Sequence, residues 1–314
     1  MRHIVCFLLL LGGAGTVSAA DIRLGIIGTD TSHAVVFTRA LNDASAANHI
    51  PGARVVAAFK GGSPDVKESA SRVDKYAEEL RDKWGVKFVD KIPAMCSEVD
   101  GILLESLDGR KHLSQVKEAV TCGKPIFIDK PLASTYADAK AIAQTAAGAH
   151  VPWFSASSLR FSEIQSLKQQ PLNGAITWGP GPTEKHQALD LTWYGIHAVD
   201  MLYTLMGTGC SEVTMVSSGE ADVATCKWED GRIGTVRVDR PYSKFGAVAF
   251  RAKNQVDALP DIKVDYLPLV REIVKFMNTK QPPVSNAETL EVMQFMDAAQ
   301  RSKEHNGAPV SMQQ

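Results

Sequence analysis

Hydrophobic positions along the chain fall into two regimes. Up to about residue 150, short unbroken apolar runs alternate with longer stretches of helical period. Residues 22–27 (IRLGII), 54–59 (RVVAAF), 101–105 (GILLE) and 126–128 (IFI) predict strands buried on both faces, because their apolar residues are contiguous rather than alternating. Helices are predicted from about residue 32 to 42, over 63–84, over 111–122 and over 135–147. Ser63-Pro64 offers an N-cap and a proline at the first helical position, and Gly123-Lys124-Pro125 breaks the third helix. This alternation predicts a parallel sheet with right-handed crossovers. Beyond residue 152 a period of two takes over, at 213–217, 223–228, 233–239 and 245–250, with helices at 194–206, 265–278 and 287–304. That pattern predicts an open, mainly antiparallel sheet with one face covered. The expected fold class is α/β, with an α/β domain over 21–134 and an α+β domain over 135–314.

The first twenty residues stand apart. Met1-Arg2-His3 is a basic start, residues 4–11 are apolar, and 12–20 turn small, ending Ser18-Ala19-Ala20. This is the pattern of a secretory signal peptide, too short to span a bilayer. The expected location is secreted or periplasmic. A single arginine does not suit the twin-arginine route, which exports folded, cofactor-loaded proteins. No later segment resembles a membrane span.

Composition narrows the classes. Lys and Arg number 34 against 35 Asp and Glu; removing Arg2 leaves 33 basic residues. So balanced a chain has no electrostatic footprint for nucleic acid or an anionic membrane. A hydrophobic share of 45% excludes disorder, and 314 residues suit about two domains. Cys96, Cys122, Cys210 and Cys226 match no zinc spacing, and no metal is expected. Cys210 and Cys226 flank a hairpin; they either pair in an oxidising compartment or remain free thiols.

The turn after the first strand runs Gly28-Thr29-Asp30-Thr31-Ser32-His33. A dinucleotide's pyrophosphate rests on such a turn and on the next helix's N-terminus, where Gly-x-Gly-x-x-Gly is usual. Here the three positions are Gly28, Asp30 and His33. A carboxylate near phosphates costs Coulomb energy, and Asp30 reads equally as a helix N-cap. At the end of the second strand, NAD sites place an acid on the ribose. This chain has Lys60-Gly61-Gly62-Ser63, either a 2′-phosphate contact from Lys60 and Ser63, favouring NADP, or a glycine turn.

Three further segments agree in order and spacing: residues 105–112 (ESLDGRKH), 123–131 (GKPIFIDKP) and 193–200 (WYGIHAVD). Together they resemble the glucose–fructose oxidoreductase/inositol dehydrogenase (Gfo/Idh/MocA) family, over about residues 22–312. Its members carry Glu-Lys-Pro at the end of a Rossmann strand and Asp-x-Gly-x-His in the second domain. The resemblance implies a Rossmann domain, NAD or NADP as cofactor, a sugar, polyol or related carbohydrate as substrate, and a homo-oligomer. It places Lys130 and His197 as the catalytic pair, orienting a hydroxyl and taking its proton. The cofactor would be held by Gly28, Thr29, Asp30, Ser32, His33, Lys60, Ser63, Glu105, His112 and Lys130. The family aspartate four residues before the histidine is Trp193 here, so Tyr194 or Asp190 is the candidate substitute in the proton relay. Trp193 alternatively gives a sugar ring a platform. Arg160 is either a ligand contact or a surface salt bridge, and His112 a helix cap or a pocket lining. Two other readings remain: glycoside cleavage by transient oxidation with tightly bound NAD, and a carbohydrate-binding protein without cofactor.

Overall fold

The apolar run IRLGII forms the central strand β1 (Ile22–Ile27), with Leu24, Ile26 and Ile27 fully buried. The computed structural model describes residues 21–168 and 171–312. The predicted signal peptide, residues 1–20, lies outside the described residues.

The chain continues through α1 (Ser32–Asn42), β2 (Ala53–Phe59), α2 (Lys67–Ala70), α3 (Val73–Trp84), β3 (Lys87–Val89) and β4 (Gly101–Leu104). It then forms α4 (Gly109–Ala119), β5 (Ile126–Ile128), α5 (Tyr136–Gly148) and β6 (Trp153–Phe154). The six strands pair in parallel in the order β3-β2-β1-β4-β5-β6. Strand order reverses between β1 and β4, which opens a crevice at the carboxyl ends, where doubly wound sheets take ligands.

The second sheet follows with β7 (Gly174–Pro180), α6 (Ile196–Met206), β8 (Cys210–Ser217), β9 (Ala221–Trp228), β10 (Ile233–Asp239), β11 (Phe245–Phe250) and β12 (Val256–Ile262). After α7 (Leu267–Thr279) and α8 (Asn286–Glu304), β13 (Val310–Ser311) completes the order β12-β11-β7-β10-β9-β8-β13. Only β7–β10 is parallel, so the sheet is mainly antiparallel as predicted. Its buried side packs on α6 and α8, as in Val213, Met215, Met201 and Phe295. Helix α7 returns to the first sheet, where Phe276 meets Phe154 with ring centroids 4.9 Å apart.

One expectation changes and one open alternative is decided. The predicted helix over 63–84 is two helices, because Ser63 does not cap it: its hydroxyl donates to Asp108 Oδ2 at 2.8 Å. Residues 60–66 thereby leave β2 as a loop that leads into the short α2. Cys210 and Cys226 form a disulfide between β8 and β9, and a second disulfide, Cys96–Cys122, ties the segment before β4 to the end of α4.

Candidate active site

Lys130 and His197 come from opposite domains, the first from the end of β5 and the second from the first turn of α6. Both line one cleft of about 490 Å³, together with Thr31, Ser32 and His33 of the α1 N-terminus, and Leu107, Trp193, Tyr194 and Tyr266. An annex of about 540 Å³ shares His197, Tyr194 and Tyr266 and adds Tyr242 and Phe245. The cleft therefore has a polar, helix-terminal end and an aromatic end.

His197 is held tightly. Its Nδ1 lies 2.7 Å from Ser157 Oγ, and the Ser157 amide donates to Asp200 Oδ2 at 2.8 Å. Burial, then the charges of Lys130 and His33, hold its pKa well below the ordinary histidine value, so the ring is neutral at neutral pH. Behind it, Arg160 is buried, with a 2.5 Å contact to Asp200 Oδ1 and another to Glu288 Oε1. Arg160 is thus neither a ligand contact nor a surface salt bridge. It anchors the base of the helix that carries His197.

The turn after β1 differs from its expected use. Thr31, not Asp30, is the N-cap of α1. Asp30 is fully buried; its Oδ2 accepts from the Ser69 hydroxyl at 2.6 Å and its Oδ1 from the Leu107 amide at 3.1 Å. Burial raises its pKa against those two bonds. Thr29 is buried with its hydroxyl 3.1 Å from the Val73 carbonyl, so it does not reach the cleft. Lys60 pairs with Asp74 at the surface, and Ser63 is spent on Asp108; neither faces the cleft. His112 is buried, with its ring nitrogens 3.1 Å from the Leu132 carbonyl and 2.8 Å from that of Ser106, so it braces two loops and neither caps a helix nor lines the cleft.

Of the two proposed relay groups, Tyr194 lines the cleft, but burial raises its pKa further above neutrality. Asp190 is paired with Lys303 at 2.6 Å and does not line the cleft. Trp193 does line it, packed on Val66 and Leu107.

Sequence reasoning missed the electrostatics beneath Lys130. Glu105 and Asp129 directly follow β4 and β5, both fully buried, and His33 Nδ1 lies 2.6 Å from Asp129 Oδ2. Burial, then the neighbouring Asp129, pushes Glu105 well above the usual carboxylate range; for Asp129 the opposing burial is outweighed by His33 and Lys130, which hold it low. Neither oxygen of Glu105 has a hydrogen-bond partner, an omission that costs about 1–3 kcal/mol.

The crevice suits a dinucleotide in several respects. Gly28 has φ 90°, and a Cβ there would lie 2.6 Å from the Ser106 backbone, so only glycine fits. The first amides of α1 have no intrahelical partner and sit at the cleft, as an anion requires. Lys130 and His197 face the same space. The adenosine side, however, is roofed by segment 60–72, which crosses from β2 over Gly28 to the β4 loop. A Cβ on Gly61 would come within 3.1 Å of the Gly28 Cα, Val66 is fully buried, and Ser63 and Ser69 bond Asp108 and Asp30. The residues present fit the cofactor, with this roof displaced for its entry.

Asp108 latches the roof. It caps α4 through the Arg110 amide and accepts from the Arg110 guanidinium, Ser63 and, from the second domain, Gln187 at 3.0 Å. Burial works to raise its pKa, but those bonds win and hold it at about 2. A folded-state pKa below the unfolded value stabilises at pH above about 4 and is lost as pH falls toward 2. Asp108→Asn is expected to lower stability by about 2 kcal/mol at pH 7, with the deficit shrinking between pH 4 and 2. Urea denaturation across that range checks it, and an equal deficit at both ends would contradict the latch.

Comparison with known proteins agrees with this geometry. Residues 22–157 match the model of the Gfo/Idh/MocA oxidoreductase family, NAD-binding Rossmann fold. No curated protein matches the sequence. Among solved structures, the myo-inositol dehydrogenase of Lactobacillus casei in complex with NAD(H) and myo-inositol superposes with a TM-score of 0.72 at 18% identity, covering 93% of this chain and 97% of that one. The myo-inositol 2-dehydrogenase of Lactobacillus plantarum gives 0.74 at 17%, covering 94% and 100%. The scyllo-inositol dehydrogenase of Lactobacillus casei, with bound NAD(H) and scyllo-inositol, gives 0.74 at 14%, with the same coverage. These identities speak for the shared two-domain fold. Over residues 22–157, then, the chain is similar to the Gfo/Idh/MocA oxidoreductases with their NAD-binding Rossmann fold.

Proposed function

We propose that the protein is an NAD(P)-linked oxidoreductase acting on a CH–OH group of a sugar, polyol or related carbohydrate, with the nucleotide retained beneath segment 60–72. The observation that carries this reading is the meeting of Lys130 and His197, from two domains, in one cleft with the α1 N-terminus. When bound, the nicotinamide exchanges the hydride. The chain's own residues handle the proton: neutral His197, fixed through Nδ1 by Ser157, presents its other ring nitrogen as the base, and Lys130 orients the hydroxyl. Trp193, Tyr194, Tyr242 and Phe245 supply apolar faces suited to a polyhydroxylated ring. The inositol dehydrogenases of like fold carry polyol ligands of this class.

Export is part of the proposal. Two disulfides in one chain suit an oxidising compartment and support the reading of residues 1–20 as a signal peptide. A roofed cofactor also suits a compartment where free nucleotide is scarce, and makes net-redox-neutral glycoside cleavage by transient oxidation compatible with the same site. The degenerate glycine motif fits the same picture, since Asp30 serves the roof rather than the phosphates.

A second reading draws on that roof: a carbohydrate-binding protein in which segment 60–72 has permanently replaced the nucleotide. Mass spectrometry of the denatured, purified protein separates the two. Nucleotide released at about one per chain supports the enzyme, and turnover without added cofactor then favours the cleavage reaction over ordinary dehydrogenation. No nucleotide, and no thermal shift with NAD or NADP, supports the binding protein.

A further inference from the structure

The most unusual feature of the crevice is a set of three side chains that neither reading uses. His33 stands in the first turn of α1, Glu105 directly after β4 and Asp129 directly after β5, so each comes from the carboxyl edge of the same sheet. One ligand-type atom from each lies within 4.8 Å of the others, and all three residues are buried. Atoms bound to one zinc-sized ion at about 2.0–2.2 Å in tetrahedral geometry are about 3.4 Å apart, so closing the set around an ion needs side-chain shifts of up to about 1.4 Å.

We propose that His33, Glu105 and Asp129 bind one divalent first-row transition-metal ion at the floor of the cleft. The independent observation is Glu105: it has no solvent exposure, and both of its oxygens lack any hydrogen-bond partner. Protonation does not satisfy it, because a neutral carboxyl still carries an O–H donor with no acceptor. A cation does, and it also separates two carboxyl groups packed side by side. His33 is pre-set for the role. Its ring stacks on Phe37 at 5.4 Å, leans on Tyr266 at 4.7 Å and places Nδ1 2.6 Å from Asp129 Oδ2, so packing and that contact already fix its orientation.

The donor set decides the ion class. One imidazole and two carboxylates suit Mn²⁺, Fe²⁺ or Zn²⁺, whereas Ca²⁺ and Mg²⁺ take oxygen ligands almost alone. Of the three, His33 lines the cleft beside Lys130 and His197, while Glu105 and Asp129 lie buried behind that wall. This site depends on no nucleotide, so its test fails or succeeds separately from the proposed function.

The untagged protein is stripped with EDTA, dialysed, and titrated with Mn²⁺, Zn²⁺ and Co²⁺ while metal content and heat are measured. The expected result is one ion per chain, a higher melting temperature with metal, and binding weakened about a hundredfold in Glu105→Gln and in Asp129→Asn. Glu105→Gln is nearly isosteric, and its melting temperature in EDTA reports that it is folded. Co²⁺ added to the unmodified protein provides a second check that needs no variant: intense visible bands of four- or five-fold coordination are expected. Absence of stoichiometric metal and of those bands, or variants that bind as the wild type does, would overturn the site.

Discussion

Replacing Lys130 by alanine is expected to lower turnover about a thousandfold, on the order of 4 kcal/mol of transition-state stabilisation, while leaving the fold intact. Lys130 is half-exposed at the cleft, and its amide, not its ammonium, is what Asp129 accepts from, at 2.8 Å. The Nζ group is therefore available to a ligand oxygen, and its removal breaks no buried hydrogen bond of the fold. Steady-state rates on a panel of polyols that includes myo-inositol, beside circular dichroism, check the expectation. A Lys130→Ala protein that turns over at the wild-type rate would remove the catalytic pair from this site.

The second large effect is on stability. Arg160→Ala leaves the buried Asp200 and the partly buried Glu288 without their counter-charge, which costs about 3–5 kcal/mol, or a fall of about 10 °C in melting temperature. The same change reaches the site, because Asp200 accepts from the Ser157 amide and Ser157 holds His197. Activity at a temperature where the variant is folded should fall further than Arg160→Lys, which keeps the charge. Scanning calorimetry with matched rate measurements tests both parts. A melting temperature within a degree or two of the wild type would show that the triad carries little.

What the sequence disclosed follows from how local each signal is. The strands β1, β2, β4 and β5 were readable because contiguous apolar residues have few other uses in a soluble chain. Short β3 and β6 carry too few residues to show a period. Strand β7 is bracketed by Gly174 and Pro180, and β12 contains Pro260, which an edge strand tolerates because one row of its amides is unpaired. Lys130 and His197 were accessible through their flanking motifs. The roles of Ser63 and Arg160 were not, since their partners Asp108, Asp200 and Glu288 lie far along the chain. The same holds for Cys96 with Cys122 and for His33, Glu105 and Asp129, which only the sheet brings together. Asp30 is the instructive case. Its position before a helix suggested a cap, but Thr31 occupies that place and frees Asp30 to hold the roof.

The roof over the crevice makes nucleotide content the most direct test of the proposed function. The protein, purified from its own host without added cofactor, is denatured and its small-molecule fraction weighed by mass spectrometry. NAD or NADP at about one equivalent per chain is the predicted result. No nucleotide, with no change in melting temperature on adding either one, would contradict it.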